Sequence, residues 1–148
     1  MSGDSRDWSY TSHVGEDLRK ADLVGVDLRR AVLDRADLEG ADLSGADLRN
    51  ASLREANLMK AALDGADLRG ARLIKARLGL SNLRGARLDG ADLRGVRGKY
   101  AVWRDANWWD ATMDDSLRTA LEKKLSLIHI SEPTRRYAIS YAVFWLKK

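Results

Sequence analysis

The chain has no cysteine, and only one proline and one phenylalanine, in 148 residues. Without cysteine there is no disulfide, no thiolate nucleophile and no cysteine zinc site. The two histidines, His13 and His129, are too few for a Ser-His-Asp set or a zinc centre of the usual ligands. No stretch approaches the roughly 18 apolar residues needed to cross a bilayer. The opening segment MSGDSRDWSYTSHVGEDLR lacks the apolar core of a signal peptide. These absences predict a cytoplasmic protein, without metal or cofactor, that is not an enzyme.

What is present is one phrase repeated. Leucine recurs at every fifth position from Leu18 to Leu93, sixteen times without a gap. Two residues earlier stand small residues such as Ala21, Ala36, Ala41 and Ala46, relaxed to Val26, Ser81 and Val96. A helix needs apolar spacings of three and four, so a strict five does not keep to one of its faces. A plain strand alternates with period two, and an odd repeat would send successive leucines to opposite sides. A coil that turns a corner once per repeat satisfies both. Leu and the preceding Ala then point inward, one residue between them points out, and the last two make the corner.

The phrase resembles the A(D/N)LXX signature of the pentapeptide-repeat family, over Glu16 to about Ala120, or about 70% of the chain. The resemblance implies an all-β fold, a right-handed quadrilateral parallel β-helix of four pentapeptides per coil. Twenty pentapeptides from Glu16 to Asp115 make about five coils, roughly 24 Å long at about 4.8 Å per stacked strand. Gly25, Gly45, Gly65 and Gly85 recur every twenty residues, as do the pairs Asp27/Arg29, Asp47/Arg49 and Asp67/Arg69. The glycine column predicts uniform type II turns along one corner.

Both ends of an open β-helix need covers. In register, Trp8 and His13 take the leucine position before Glu16, so residues 1–15 read as an N-terminal cap, with a structural role for His13. Beyond the repeats of 16–115 the leucine position holds Gly98, Trp103, Trp108 and Met113; Gly98 is expected to make room for an indole. DDSLRTALEKK reads as a short capping helix over 116–124, with Asp114 or Asp115 as its N-cap. In family members such a helix often also forms a dimer.

From Leu125 to Lys148 the repeat is gone. Leu125 to Arg135 is similar to a translated transposase-type adapter of sequencing libraries, and Ile139 to Lys148 to the constant block that follows it, apart from Trp145. Residues 125–148 are thus expected to be non-native, and Pro133 to break any helix that enters them.

Charge narrows the function classes. Leaving out 125–148, there are 21 acids and 22 bases. Some family members act as DNA mimics directed at DNA gyrase, but a rod of about 24 Å would need on the order of fourteen net negative charges to imitate a duplex. The glycine-cornered face carries Asp22, Asp42, Asp64 and Asp105 against Arg84 and Arg104, too small an excess. The outward Asp column invites a cation reading, set against mutual screening by neighbouring arginines. Along the axis, Glu16–Glu55 has ten acids and seven bases, whereas Ala56–Arg104 has four and eleven. Arg72, Lys75, Arg77, Arg87, Arg97 and Lys99, with the outward aromatics Tyr100 and Trp109, form the candidate interaction surface. The sequence therefore predicts a non-catalytic binding or scaffold module for protein-protein interaction. The alternatives are a gyrase-directed mimic and a binder of an acidic partner or nucleic acid through 56–104. The expected partner is a protein rather than nucleic acid or membrane, met by a monomer or by a dimer joined at the C-terminal end.

Overall fold

The fold is given by a computed structural model that describes residues 6–129. The chain divides into two compact units, Met1–Asp114 and Asp115–Lys148.

In the first unit every backbone bridge joins residue i to residue i+20 in parallel, from Asp7↔Asp27 to Asp92↔Thr112. Twenty residues therefore make one coil, and the five-residue phrase makes one side of it. This is the right-handed quadrilateral β-helix that the repeat implied. The coil geometry begins at Asp7, ahead of Glu16, because the ladder needs only backbone there: the N–H of Trp8 donates to Asp27 O at 2.7 Å and that of His13 to Val32 O at 2.7 Å.

The core is a stack of identical layers. Leu23 to Leu93 at the fifth positions are at most 3% exposed, and the alanines two residues before them, from Ala31 to Ala91, are equally buried. Toward the C-terminal end the column changes to the buried Trp103, Trp108 and Met113. A Cβ on Gly98 would lie 3.1 Å from Cζ2 of Trp103, so the glycine is there for the indole.

One pentapeptide, Asp27 to Ala31, shows how the backbone is satisfied. Asp27 N–H donates to Arg6 O of the coil before (2.9 Å), Leu28 N–H to Asp47 O of the coil after (2.7 Å), and Arg30 N–H to Arg49 O (3.0 Å). Ala31 N–H closes the corner on Leu28 O at 3.0 Å. Only the first corner residue, Arg29, lacks a backbone acceptor, and its N–H donates to Oδ1 of Asp27 at 3.1 Å. The corner is a turn whose second central residue has positive φ, the type II pattern.

That pattern is not confined to the glycine column. Positive φ recurs at every fifth residue from Tyr10 to Asp105, at nine glycines and at eleven other residues, including Arg30, Lys60 and Leu80. A left-handed conformation costs an L-residue about 1–2 kcal/mol. It persists because the corner N–H then points at the next coil and finds a carbonyl there.

Among the described residues, the one break in the ladder falls at Trp108–Asp110, a single 3-10 turn. Here Leu88 N–H donates to the side-chain oxygen of Asn107, whose amide in turn donates to Asp89. In the second unit, helix α1 runs Asp115–His129. It continues past Lys124, since neither glycine nor proline interrupts the sequence before Pro133. The segment read as adapter-derived lies, from residue 130 on, outside the described residues.

Candidate interaction surface

Four sides follow from the bridges. Side 1 carries outward Asp7, Asp27, Asp47, Asp67 and Arg87; side 2 Ser12, Val32, Ser52, Arg72, Asp92 and Thr112. Side 3 carries Asp17, Asp37, Asn57, Arg77 and Arg97, and side 4 Asp22, Asp42, Ala62, Asn82 and Val102.

The acidic residues in these columns have a structural task. Each accepts the amide of the residue two further on: Asp22 from Val24 at 3.2 Å, Asp42 from Ser44 at 3.1 Å, Asp67 from Arg69 at 3.2 Å. Asn57 and Asn82 do the same for Met59 and Arg84, which is why the phrase tolerates Asp or Asn there. Where Ser52 replaces them, Asp34 of the preceding coil takes the amide of Arg54 at 3.2 Å. Among the described residues no group of three or more His, Asp or Glu is placed to hold a metal ion.

On side 1 the pairing extends into a ladder. Arg49 grips Asp47 through Nε (2.8 Å) and Nη2 (2.7 Å), and its Nε lies 3.8 Å from Asp67 of the next coil. Arg29 and Arg69 repeat the grip on Asp27 and Asp67. The guanidinium of Arg49 holds the Asp47 carboxyl below the usual carboxylate range against the pull of burial. For Asp67 burial is the largest influence and pushes up, but the hydrogen bonds of Arg69 outweigh it. Side 1 is thus locally neutral.

His13 is fully engaged. Its ring stacks on Trp8 with centroids 4.5 Å apart, Nε2 is 2.8 Å from Thr11 Oγ1 and Nδ1 is 2.8 Å from Glu16. No ring nitrogen is left for a ligand.

The candidate residues do not all come together. Arg77 and Arg97 bridge directly on side 3. Lys75 ends the corner that leads onto that side, Lys99 and Tyr100 make the corner that leaves it, and Arg72 sits on the neighbouring side 2. Arg87 lies on the opposite side 1, and Trp109 belongs to the 3-10 turn that follows that side, edge-on to Trp108 at 5.7 Å. Five of the eight therefore belong to side 3 or its corners, and Arg72, Arg87 and Trp109 do not.

Within the five, the charges are unneutralised. Arg77 and Arg97 are exposed, and neither has a carboxylate within ion-pair distance among the described residues. Arg77 instead donates to Sδ of Met59 at 3.3 Å. Lys99 Nζ stands 5.2 Å over the Tyr100 ring. Like charges directly opposite on adjacent strands are unfavourable, so this rung departs from the pairing seen on side 1.

Two residues that the sequence reading passed over join this margin. Leu80 is 51% exposed and Val102 45%, beside Tyr100 at 68%. Leu80 occupies the second corner position with φ +61°, where glycine, lysine and arginine stand elsewhere. An apolar residue at a fifth position was the available signal. A dent at the corner between sides 2 and 3 is lined by Asp34, Arg35, Arg54, Glu55, Ile74 and Lys75; it is polar and too shallow to enclose a substrate.

A four-sided β-solenoid with one phrase per side and its charges sorted by side is the class of protein that these features define. The chain belongs to the pentapeptide-repeat family: the family pattern, "Pentapeptide repeats", matches in eight copies over residues 17–50, 36–73 and 61–97. Among solved structures it is similar to the pentapeptide repeat protein Rfr23 from the cyanobacterium Cyanothece 51142, at 29% identity over 74% of this chain and 92% of that one, with a TM-score of 0.46. HetL of Nostoc sp. strain PCC 7120, a pentapeptide repeat protein involved in heterocyst differentiation regulation, is 33% identical over 74% of this chain, with a TM-score of 0.39; the chain spans 62% of its length. The pentapeptide repeat protein alr5209 from Nostoc PCC 7120 is 31% identical over 76% of this chain and 88% of that one, with a TM-score of 0.42. No curated protein matches. Among the described residues no helix is long and apolar enough to cross a membrane.

Proposed function

We propose that the protein is a non-catalytic binding module that docks an acidic protein surface on the margin of side 3 formed by Arg97, Lys99, Tyr100 and Leu80. One observation carries this reading: Arg77, Arg97 and Lys99, none with a carboxylate within ion-pair distance among the described residues, stand beside the exposed apolar side chains of Leu80, Tyr100 and Val102. Basic groups would steer an acidic partner onto the surface, and Leu80, Tyr100 and Val102 would supply the apolar centre that a protein interface needs. Nucleic acid is disfavoured because only Tyr100 offers a ring for base stacking there. The outward Asp and Asn acceptors take the backbone amides two residues on, a structural task that supports the non-catalytic reading.

Capture from a bacterial lysate on the immobilised full chain, with nuclease added, tests this. The reading expects discrete acidic proteins that elute with salt and are indifferent to the nuclease. Recovery of nucleic acid alone would overturn it.

A further inference from the structure

Along the first three rungs of side 3 the corner amide is served from within. Arg19 N–H donates to Asp17 (3.2 Å), Glu39 N–H to Asp37 (3.2 Å) and Met59 N–H to Asn57 (3.1 Å). The next two rungs are Arg77 and Arg97, and a guanidinium is a donor with no acceptor to offer. The N–H groups of Gly79 and Lys99 accordingly find no acceptor among the described residues. We infer that a partner protein supplies it: two carboxylates, one per coil, accept the amides of Gly79 and Lys99 and are gripped by Arg77 and Arg97.

The chain's other way of serving a corner is closed here as well. Where Ser52 holds the rung, Asp34 of the preceding coil takes the amide of Arg54 at 3.2 Å. In the corresponding place before Gly79 stands Met59, whose sulfur is engaged by Arg77 at 3.3 Å, and before Lys99 stands Gly79, which has no side chain. Other corner amides also lack an acceptor among the described residues, but those of Asp34, Asp64 and Arg104 follow Val32, Ala62 and Val102, so no rung cation accompanies them. Ile74 follows Arg72, and the next rung on that side is Asp92, which serves its own corner at Arg94 (3.1 Å). Only Gly79 and Lys99 lie one coil apart with an arginine on each rung.

A carboxylate on this corner would meet the two kinds of donor that already hold Asp47, a backbone amide and a guanidinium. It would also offset the repulsion between Arg77 and Arg97 on adjacent strands. The coils are about 4.8 Å apart, close to the roughly 5–6 Å between residues one turn apart on a helix. The partner surface that fits is therefore a helix face with two acidic residues one turn apart. An apolar residue beside them would meet Leu80 and Tyr100, 51% and 68% exposed.

The local sequence supports a binding role. Glycine stands at the first corner position, where φ is not positive, and leucine at the second, where φ is +61°. The order is the reverse of what the turn favours, and it leaves the Gly79 amide uncovered beside an exposed apolar side chain.

The inference rests on the acidic-partner reading and names the groups that would do the recognising, and the turn itself provides a test that separates the two. Ser81 N–H closes the corner on Leu78 O at 3.0 Å, so Gly79 is the first central residue of a type II turn, a position proline favours. Gly79→Pro deletes the amide without breaking an internal hydrogen bond, and the melting temperature should be kept or raised. Gly79→Ala retains the amide, with its Cβ in ordinary contact 3.6 Å from Cε of Met59. Amide resonances of the isotope-labelled full chain are followed during titration with glutarate, a dicarboxylate, and separately with inorganic phosphate. Capture of acidic proteins from a bacterial lysate is then compared on wild type and both variants. Glutarate should move the amide protons of Gly79 and Lys99 downfield to saturation and leave those of Ile74 and Arg104 in place. Recovery of the acidic proteins should persist on Gly79→Ala and fall at least about tenfold on Gly79→Pro, as loss of a hydrogen bond to a charged group entails. Unmoved Gly79 and Lys99 amides, or equal recovery on the two variants, would overturn this inference and leave the acidic-partner reading standing. Phosphate acting on the same amides at lower concentration than glutarate would overturn the carboxylate assignment, and a wild type that recovers no acidic protein would overturn both readings.

Discussion

Oδ1 of Asp47 accepts the backbone N–H of Arg49 at 3.2 Å while the same carboxylate holds that residue's guanidinium at 2.8 and 2.7 Å. One side chain thus completes the backbone accounting of its corner and neutralises the cation the corner presents. An asparagine would perform the first task and not the second.

This separates two variants. Asp47→Asn should cost under about 1 kcal/mol at neutral pH, as an exposed ion pair does, whereas Asp47→Ala also strands an amide and should cost about 1 kcal/mol more. Urea denaturation of the pair checks it; equal losses would mean the amide is satisfied by other means.

Acid should unfold the protein through the same groups. The carboxyls of Asp27, Asp47 and Asp92 are held below their ordinary 3.8 chiefly by arginine hydrogen bonds, and Asp17, gripped by Arg19, is lowered to about 2. A depressed folded-state pKa gives stability that is fully present above the unfolded value and is lost as pH falls through the folded one. The melting temperature should therefore be flat from about pH 7 to pH 5 and fall between about pH 4 and pH 2. Asp47→Asn should shallow that fall. A drop centred above pH 5 would point to groups other than these.

Leu58 is 1% exposed in the middle of the leucine column. Truncation to alanine should cost roughly 2–5 kcal/mol, because the layers above and below hold the cavity open. Arg69→Ala, on the exposed ladder, should cost under about 1 kcal/mol. Comparable losses in chemical denaturation would contradict the inward assignment of the repeat leucine.

Ser81 stands where the phrase has alanine, and its hydroxyl is buried without a hydrogen-bond partner. Ser81→Ala removes that orphan without opening a cavity and should raise stability by about 1 kcal/mol. A loss measured by denaturation would show that the hydroxyl has a partner, such as a bound water.

The fold was legible because the signal is strictly periodic: a leucine every five residues admits one kind of coil, and the glycines every twenty residues point to four phrases per turn. The corners were read too narrowly, since Arg30, Lys60 and Leu80 adopt the left-handed conformation that only the glycine column announced. Ladder geometry, not residue preference, decides there. The Asp column was legible as outward but not as a backbone acceptor, because that role appears only once every other amide of Asp27 to Ala31 has found its carbonyl. Arg87 could not be separated from Arg77 and Arg97 by charge counts along the axis, which ignore the side. Sorting the same residues modulo twenty would have done so.

Among the described residues no side presents a full-length line of unpaired carboxylates like the phosphates of a duplex. On side 1 Asp27, Asp47 and Asp67 are gripped by Arg29, Arg49 and Arg69 and the column ends in Arg87, and side 4 loses its acids after Asp42. In a gyrase supercoiling assay the protein should not inhibit at concentrations where an acidic member of the family would. Potent inhibition would shift attention to Asp22, Asp42 and Asp64.

The most direct test of the functional account compares the proteins captured from a bacterial lysate by the full chain and by its Lys99→Glu/Tyr100→Ala variant, quantified by mass spectrometry. Both substitutions lie on the corner beyond side 3, so the fold and the rungs of Arg77 and Arg97 are untouched. The account predicts that the acidic proteins bound by the wild type drop at least about tenfold on the variant, as loss of central interface residues entails. Equal recovery on both would contradict the assignment of this corner as the binding surface.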